Sequence, residues 1–188
     1  MNRPLEDLKH EHRLIERALA VLERAAEALE RGEQVSPDVL AQALAFVRGF
    51  ADGCHHAKEE HGLFPLLASK NPTIQFGPVR VMLSEHEMGR AHIADLAGAV
   101  EEMRAGHAEG RQAARAAIAG YTALLRDHIA KEEDVLFQLA VGLMDEADTK
   151  ELAEQFDEVE RETGPGAHER FEALVEELEE ALGVTAAT

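Results

Sequence analysis

The chain has 188 residues, 45% of them hydrophobic and 30% charged, with a formal net charge of -18. That length fills one domain and is short for two. The charge opposes phosphate backbones and anionic lipid headgroups, which call for a basic surface, so neither nucleic acid nor membrane is expected as a partner.

Aromatic residues make up 4% and Trp is absent, while the abundant Ala, Leu and Glu favour helices over strands. The opening MNRPLEDLKHEH has no apolar signal core, and no uncharged run approaches the roughly 18 residues that span a membrane. The expectation is a soluble, cytoplasmic protein. Its one cysteine, Cys54, allows no internal disulfide, which fits a reducing compartment.

The first helix is predicted from about Arg3 to Arg31, with Leu5, Leu8, Ile15, Leu19, Leu22 and Leu29 alternating three and four apart. His12 fills the missing place in that stripe, and His10 falls on the opposite face. Gly32 closes the helix, and Ser36-Pro37 opens the second as N-cap and first turn. That second helix is predicted to reach Leu67. Leu40, Leu44, Val47 and Cys54 lie on a different face from His56, Glu60, Leu63 and Leu67, so the buried face shifts near Gly53, by a kink or by a change of neighbours.

The turn-rich stretch from Ser69 to Pro78 interrupts the pattern. A third helix, from about Val79 to Gly106, presents Met82, His86, Ile93, Leu96, Ala97 and Val100 on one side, and a fourth, from about Gly110 to Leu143, presents Leu125, His128, Glu132, Val135 and Leu139. Four long amphipathic helices with short connections predict an all-α, up-and-down antiparallel four-helix bundle over residues 1–145. Residues 146–188, with a break at GPG, predict a C-terminal helical hairpin packed on the same domain.

The chemistry concentrates in a repeat. His56-x3-Glu60, inside HHAKEEHGLF, returns 72 positions later as His128-x3-Glu132, inside HIAKEEDVLF. At about 100° per residue, a His and a Glu four apart point the same way from successive turns and form an N,O claw. Inward positions add His12 and His86, so every long helix supplies a histidine. Four core histidines and two carboxylates each cost about 1–3 kcal/mol to bury unsatisfied. A shared metal centre satisfies all six; the rival is a hydrogen-bond network among them without metal. Offsetting the repeat by 72 selects Glu132 over its neighbour, and Glu133 is the alternative if that helix bulges. His55, Glu59 and His61 point away from the claw by the same count, Cys54 reads as a small core hydrophobe, and His168 reads as a surface or capping residue.

The order His, HxxxE, EHxxxR, HxxxE over about Leu5 to Ala140 resembles the hemerythrin-like proteins, also called HHE cation-binding domains. The resemblance implies a bundle holding a non-haem di-iron centre, and carried over residue by residue it nominates His12, His56, Glu60, His86, His128 and Glu132, with the two glutamates as bridges. Zinc or manganese could replace iron in isolated protein. Oxygen-carrying hemerythrins look like His-x3-His on the third helix and His-x4-Asp on the fourth, whereas this chain has His86-x3-Arg90 and Glu132. One imidazole is thus expected to be missing, leaving room for water, peroxide or a further carboxylate such as Glu85. Arg90 reads as a partner for Glu60, Glu87 or peroxide, or as a solvated surface residue. Tyr121, two turns before His128, reads as a hydrogen-bond donor to a site water or as packing.

The function expected is reaction with small oxidants, by catalase-like peroxide or ferroxidase chemistry. The alternatives are reversible oxygen or nitric oxide binding or sensing, and iron storage or donation. Oligomeric state is not encoded in any feature of the chain.

Overall fold

The computed structural model describes residues 3–184. Among these residues it is all-helical. The helices are α1 (Arg3–Glu30), α2 (Pro37–Phe46), α3 (Phe64–Lys70), α4 (Pro72–Phe76), α5 (Pro78–Arg104), α6 (Ala108–Lys131), α7 (Phe137–Leu143), α8 (Glu146–Thr163) and α9 (Ala167–Leu182). Three π-helical segments, Val47–His56, Glu59–Leu63 and Glu132–Leu136, join α2 to α3 and α6 to α7 without breaking the helical path.

Caps mark the helix starts. Ser36 Oγ accepts from the Asp38 amide at α2, Asn71 Oδ1 accepts from the Thr73 amide at α4, and Asp145 and Asp148 form a reciprocal capping box at α8. Gly32 and Gly106 follow α1 and α5 with φ of 75° and 79°, a left-handed turn that glycine adopts without a Cβ clash. The stretch expected to be only turns between Ser69 and Pro78 holds the short α4. Asn71 caps it and Pro72 opens it, so the same Asn-Pro that ends one helix starts another.

Packing runs in a ring: α5 lies against α6, α6 against α1, and α2 against both α1 and α5. The C-terminal pair is part of this body, with α9 resting on α1 and α2, and α8 on α1 and the first two π segments. Two apolar clusters result. One contains Ile15, Leu19, Phe50, Ile93, Leu125, Ile129 and Val175; the other contains Leu5, Leu8, Leu63, Phe64, Met82, Leu136, Phe137, Leu152 and Phe156. Burying each of these large side chains stabilises the fold by about 1.5–3 kcal/mol.

Between the two clusters lies a polar layer. On α1 it falls at His12, between Leu8 and Ile15; on α5 at His86, between Met82 and Ile93; and on the α6 side at His128 and Glu132, between Leu125 and Leu136. The π segments sit at this level on two of the four sides. A π turn bonds i to i+5 and so absorbs one extra residue, which slips the phase of everything after it by about one position. On the fourth long helix this slip exposes Val135 (51%) and Leu139 (37%), both expected to be buried, and buries Leu136, Phe137 and Ala140 instead. No helix of the described residues is long and apolar enough to cross a membrane.

Candidate metal centre

Five histidines and two glutamates converge in the polar layer, all of them buried. His56, Glu59, His86 and His128 each bring one ligand-type atom within 4.8 Å of the others, and so do His12, His55, Glu59 and Glu132. Glu59 belongs to both groups. Glu132 lies between them, its two oxygens 3.2 Å from His12 Nε2 and 3.2 Å from His128 Nε2. Glu59 Oε2 is 3.4 Å from His86 Nε2, and Glu59 Oε1 is 3.7 Å from His55 Nε2.

Every one of the five rings turns Nδ1 outward to a carboxylate, and because a carboxylate only accepts, Nδ1 carries the proton. His12 donates to Glu133 at 2.9 Å, His55 to Glu11 at 2.9 Å, His56 to Asp52 at 3.3 Å, His86 to Glu60 at 2.7 Å and His128 to Glu85 at 3.0 Å. In the neutral imidazole the inward Nε2 then holds a lone pair. The layer is therefore lined by acceptors facing acceptors: His86 Nε2 and His128 Nε2 stand 3.1 Å apart. His12 Nε2, His56 Nε2 and all four oxygens of Glu59 and Glu132 have no hydrogen-bond partner among the described residues. Buried lone pairs and carboxylates without donors are costly, and a cation is the species that satisfies them together. Imidazole nitrogen with carboxylate oxygen is a donor set that suits a transition metal.

The hemerythrin HHE cation-binding domain model matches residues 3–140. The chain belongs to that family. Over 180 residues it is 24% identical to the uncharacterized proteins Mb2018 of Mycobacterium bovis and Rv1995 of Mycobacterium tuberculosis, covering 95% of this chain and 70% of each relative. No solved structure gives a significant match.

In this hemerythrin-like chain the placement of the sequence-selected residues divides. His12, His56, His86, His128 and Glu132 lie within the two groups. Glu60 does not. It is 21% exposed, and it accepts a hydrogen bond from His86 Nδ1–H and pairs with Arg90, both at 2.7 Å. Its inward place belongs to Glu59, and His55, also expected to point away, faces the layer beside it. The π-helical turns through Val47–His56 and Glu59–Leu63 are the reason: counting at α-helical pitch through them rotates each residue off its true face. The signal is present in the repeat. HHAKEEHGLF and HIAKEEDVLF agree at His, Ala, Lys, both Glu, Leu and Phe when offset by 73, which pairs His55 with His128, Glu59 with Glu132 and Glu60 with Glu133. Glu133 accordingly lies outside both groups, paired with His12 Nδ1 and Arg13.

His55 also corrects the expected shortage of imidazole, since with it the layer holds five. Glu85 is not among the converging groups and instead holds His128 from behind, with Lys131 on its other oxygen. Arg90 bridges Asp52, Glu60 and Glu87. His10 and His61 are exposed. Cys54 is fully buried, with its thiol pushed up by burial. His168 does not cap α9, whose N-cap is Gly166; it sits against Phe50 with Nε2 3.4 Å from Glu11.

Protonation follows this arrangement. Burial pushes His55 down to about 4 and His56 down to about 3, so both rings stay neutral and available at ordinary pH. Burial also lifts the Glu59 carboxyl well above the usual range, reinforced by the neighbouring Glu132 charge. Glu132 goes the other way: against the pull of burial, the charge that His128 takes on protonation and a hydrogen bond from His12 hold it well below that range, and Glu132 in turn raises His128, so without a metal ion it is a proton on this ring that offsets the Glu132 charge. Two carboxylates this close do not both ionise unless a cation lies between them. The outer carboxylates are anions. Glu60 is held at about 2 by His86 and Arg90, and Glu11, despite burial, at about 2 by His55 and Lys58.

Proposed function

We propose that this protein is an up-and-down four-helix bundle over residues 1–145 with a C-terminal helical hairpin over 146–188, that it holds two non-haem iron ions, and that the centre reacts with small oxidants, hydrogen peroxide or oxygen. The observation that carries the reading is the convergence of five buried imidazoles on two buried carboxylates, with His12 Nε2, His56 Nε2 and all four carboxylate oxygens left without a hydrogen-bond partner. His56, His86 and His128 would hold one ion and His12 and His55 the other, with Glu59 shared. Glu132, equidistant from His12 and His128, is the candidate for a second bridge.

Bound there, an iron pair supplies a reversible change of oxidation state. The chain's own contribution is positioning. The five Nδ1–H bonds to carboxylates fix each ring's tautomer and raise the basicity of the inward nitrogen, and the apolar clusters on either side keep bulk water out of the layer. A second reading, reversible binding of oxygen or nitric oxide, gains support from His55, because five imidazoles leave no nitrogen deficit relative to the oxygen carriers the sequence resembles.

Anaerobic loading with ferrous iron, followed by optical spectroscopy on adding oxygen and then peroxide, separates the two. Uptake of two irons per chain and rapid oxygen evolution from peroxide are expected. A stable adduct that releases oxygen under vacuum, without turnover, assigns the protein to reversible binding. A chain that takes up no transition metal overturns both.

A further inference from the structure

The carboxylates that hold the five imidazoles from behind are not alike. Asp52, Glu60, Glu85 and Glu133 are between 12% and 33% exposed and lean on Arg90, Lys131 or Arg13 at the surface. Glu11, behind His55, is 1% exposed. Its Oε2 accepts from His55 Nδ1–H and its Oε1 accepts from Lys58, an ammonium that is itself fully buried. With both oxygens engaged the carboxylate keeps one orientation, and His55 takes its direction from it. On the His56 and His86 side, by contrast, the buried Tyr121 hydroxyl bonds to no group among the described residues.

What fixes Lys58 is α8. A buried ammonium is costly unless its protons are met. Glu160 Oε1 accepts one of them at 2.7 Å, and the Phe156 ring, one turn earlier on the same helix, lies 5.6 Å from Nζ. His168 of α9 brings its Nε2 to 3.4 Å from Glu11 and 3.6 Å from Glu160. A chain of bonded groups, His55 to Glu11 to Lys58 to Glu160, therefore runs from the polar layer to the C-terminal hairpin. Phe156, Glu160 and His168 all lie beyond residue 140, where the family match ends.

We propose that Glu11, Lys58 and Glu160 are positioning residues for the ion that His12 and His55 would hold, so that the C-terminal hairpin sets the affinity of that position alone. The assignment rests on the two-ion reading and adds an inequality to it. The ion of His56, His86 and His128 depends on carboxylates held from the surface, and the other ion depends on α8. Linkage makes the effect reciprocal: an ion at the His12 and His55 position should tighten the docking of α8.

The test is stepwise binding of ferrous iron to the full chain, under anaerobic conditions and in competition with a chelator, for the wild type, Glu160→Ala and Val175→Ala. Glu160→Ala frees Lys58 from α8. It is expected to weaken one of the two binding steps about three- to tenfold, less than the loss of a carboxylate bonded directly to a ligand, and to leave the other step unchanged. In the Mössbauer spectrum of the loaded chain one of the two iron signals should shift. Val175 is buried on α9 in the apolar cluster. Val175→Ala should therefore lower the Tm through lost packing and leave both steps and both signals as in the wild type. Hydrogen exchange reads the reciprocal effect: the α8 amides around Glu160 should gain protection as iron fills the affected step in the wild type, and not in Glu160→Ala. No weakening, equal weakening of both steps, or the same pattern in Val175→Ala overturns the assignment and leaves the metal-centre reading standing. A wild-type chain that takes up no metal overturns both.

Discussion

Glu59–Leu63 and Glu132–Leu136 are the same device used twice, 73 residues apart, in different surroundings. In each, a π-helical turn points the first glutamate of a Glu-Glu pair into the polar layer and leaves the second to hold a histidine of a neighbouring helix by Nδ1, Glu60 holding His86 and Glu133 holding His12. The lysine before each pair shows the contrast. Lys58 is fully buried, bonded to Glu11 and, at 2.7 Å, to Glu160 of α8, whereas Lys131 is 45% exposed and pairs with Glu85 at the surface. Gly62 in the first segment lies under α8, while its counterpart Val135 faces solvent. One copy is therefore covered by α8 and the other is open. Through Lys58, Glu11 and His55, α8 reaches the polar layer.

The largest asymmetry should appear on removing the two lysines. Lys58→Met strands the buried Glu11 carboxylate and is expected to cost about 3–5 kcal/mol in urea unfolding, against about 0–1 kcal/mol for Lys131→Met. Equal losses would contradict the picture of one covered and one open copy. The second glutamates should behave alike, because each orients a histidine through its Nδ1 proton. Glu60→Gln and Glu133→Gln are each expected to lower metal affinity about 10- to 100-fold in competition with a chelator. A loss confined to one would break the equivalence of the two turns.

Gly62→Val, which copies the second segment into the first, comes next. A Cβ at Gly62 meets Leu152 Cδ1 at 3.0 Å and Phe156 Cε1 at 3.2 Å, so the larger side chain should cost about 1–3 kcal/mol by overpacking α8. The reverse change, Val135→Gly, should cost only about 0.3–0.5 kcal/mol, the difference in helix propensity between the two residues.

The pH response of the metal-free chain is the gentlest probe. Between pH 6.5 and 4.5, His55 and His56 oppose folding, since the unfolded rings bind protons that the folded ones refuse, while Glu59, which binds its proton more readily in the folded chain, acts in the other direction. Below 4.5 the signs agree. Glu11 and Glu60, held at about 2, resist protonation only in the folded state, and His55 and His56 continue to refuse protons down to about 4 and about 3. The Tm of the metal-free chain should thus fall steeply from pH 4.5 toward 2, and a Tm that held or rose over that range would contradict these assignments.

The long helices could be read from the chain because their apolar spacing follows α-helical pitch for most of their length, and their starts carry Ser36-Pro37 and Asp145 as caps. His12 and His86 were equally readable, each lying in an uninterrupted α-helix between apolar neighbours. The π segments were readable only as a shift of buried face near Gly53 and as a bulge considered beside Glu133, without their effect on which residues face inward. They carry no proline, and a π turn differs from an α turn by one residue rather than by a change of composition, so periodicity passes over it and assigns Glu60 and Val135 to the wrong faces. The faithful guide was local identity, since the two KEE runs superpose only at an offset of 73. The buried Lys58 had no sequence signal either, because its partners Glu11 and Glu160 lie 47 and 102 positions away.

In the proposed function, Glu59 rather than Glu60 is the carboxylate that two metal ions would share. Metal content per chain, measured by atomic emission after anaerobic iron loading of Glu59→Gln and Glu60→Gln, tests it most directly. The account predicts that Glu59→Gln fails to hold two irons while Glu60→Gln still binds them at saturating iron. Two irons retained by Glu59→Gln and lost by Glu60→Gln would contradict it.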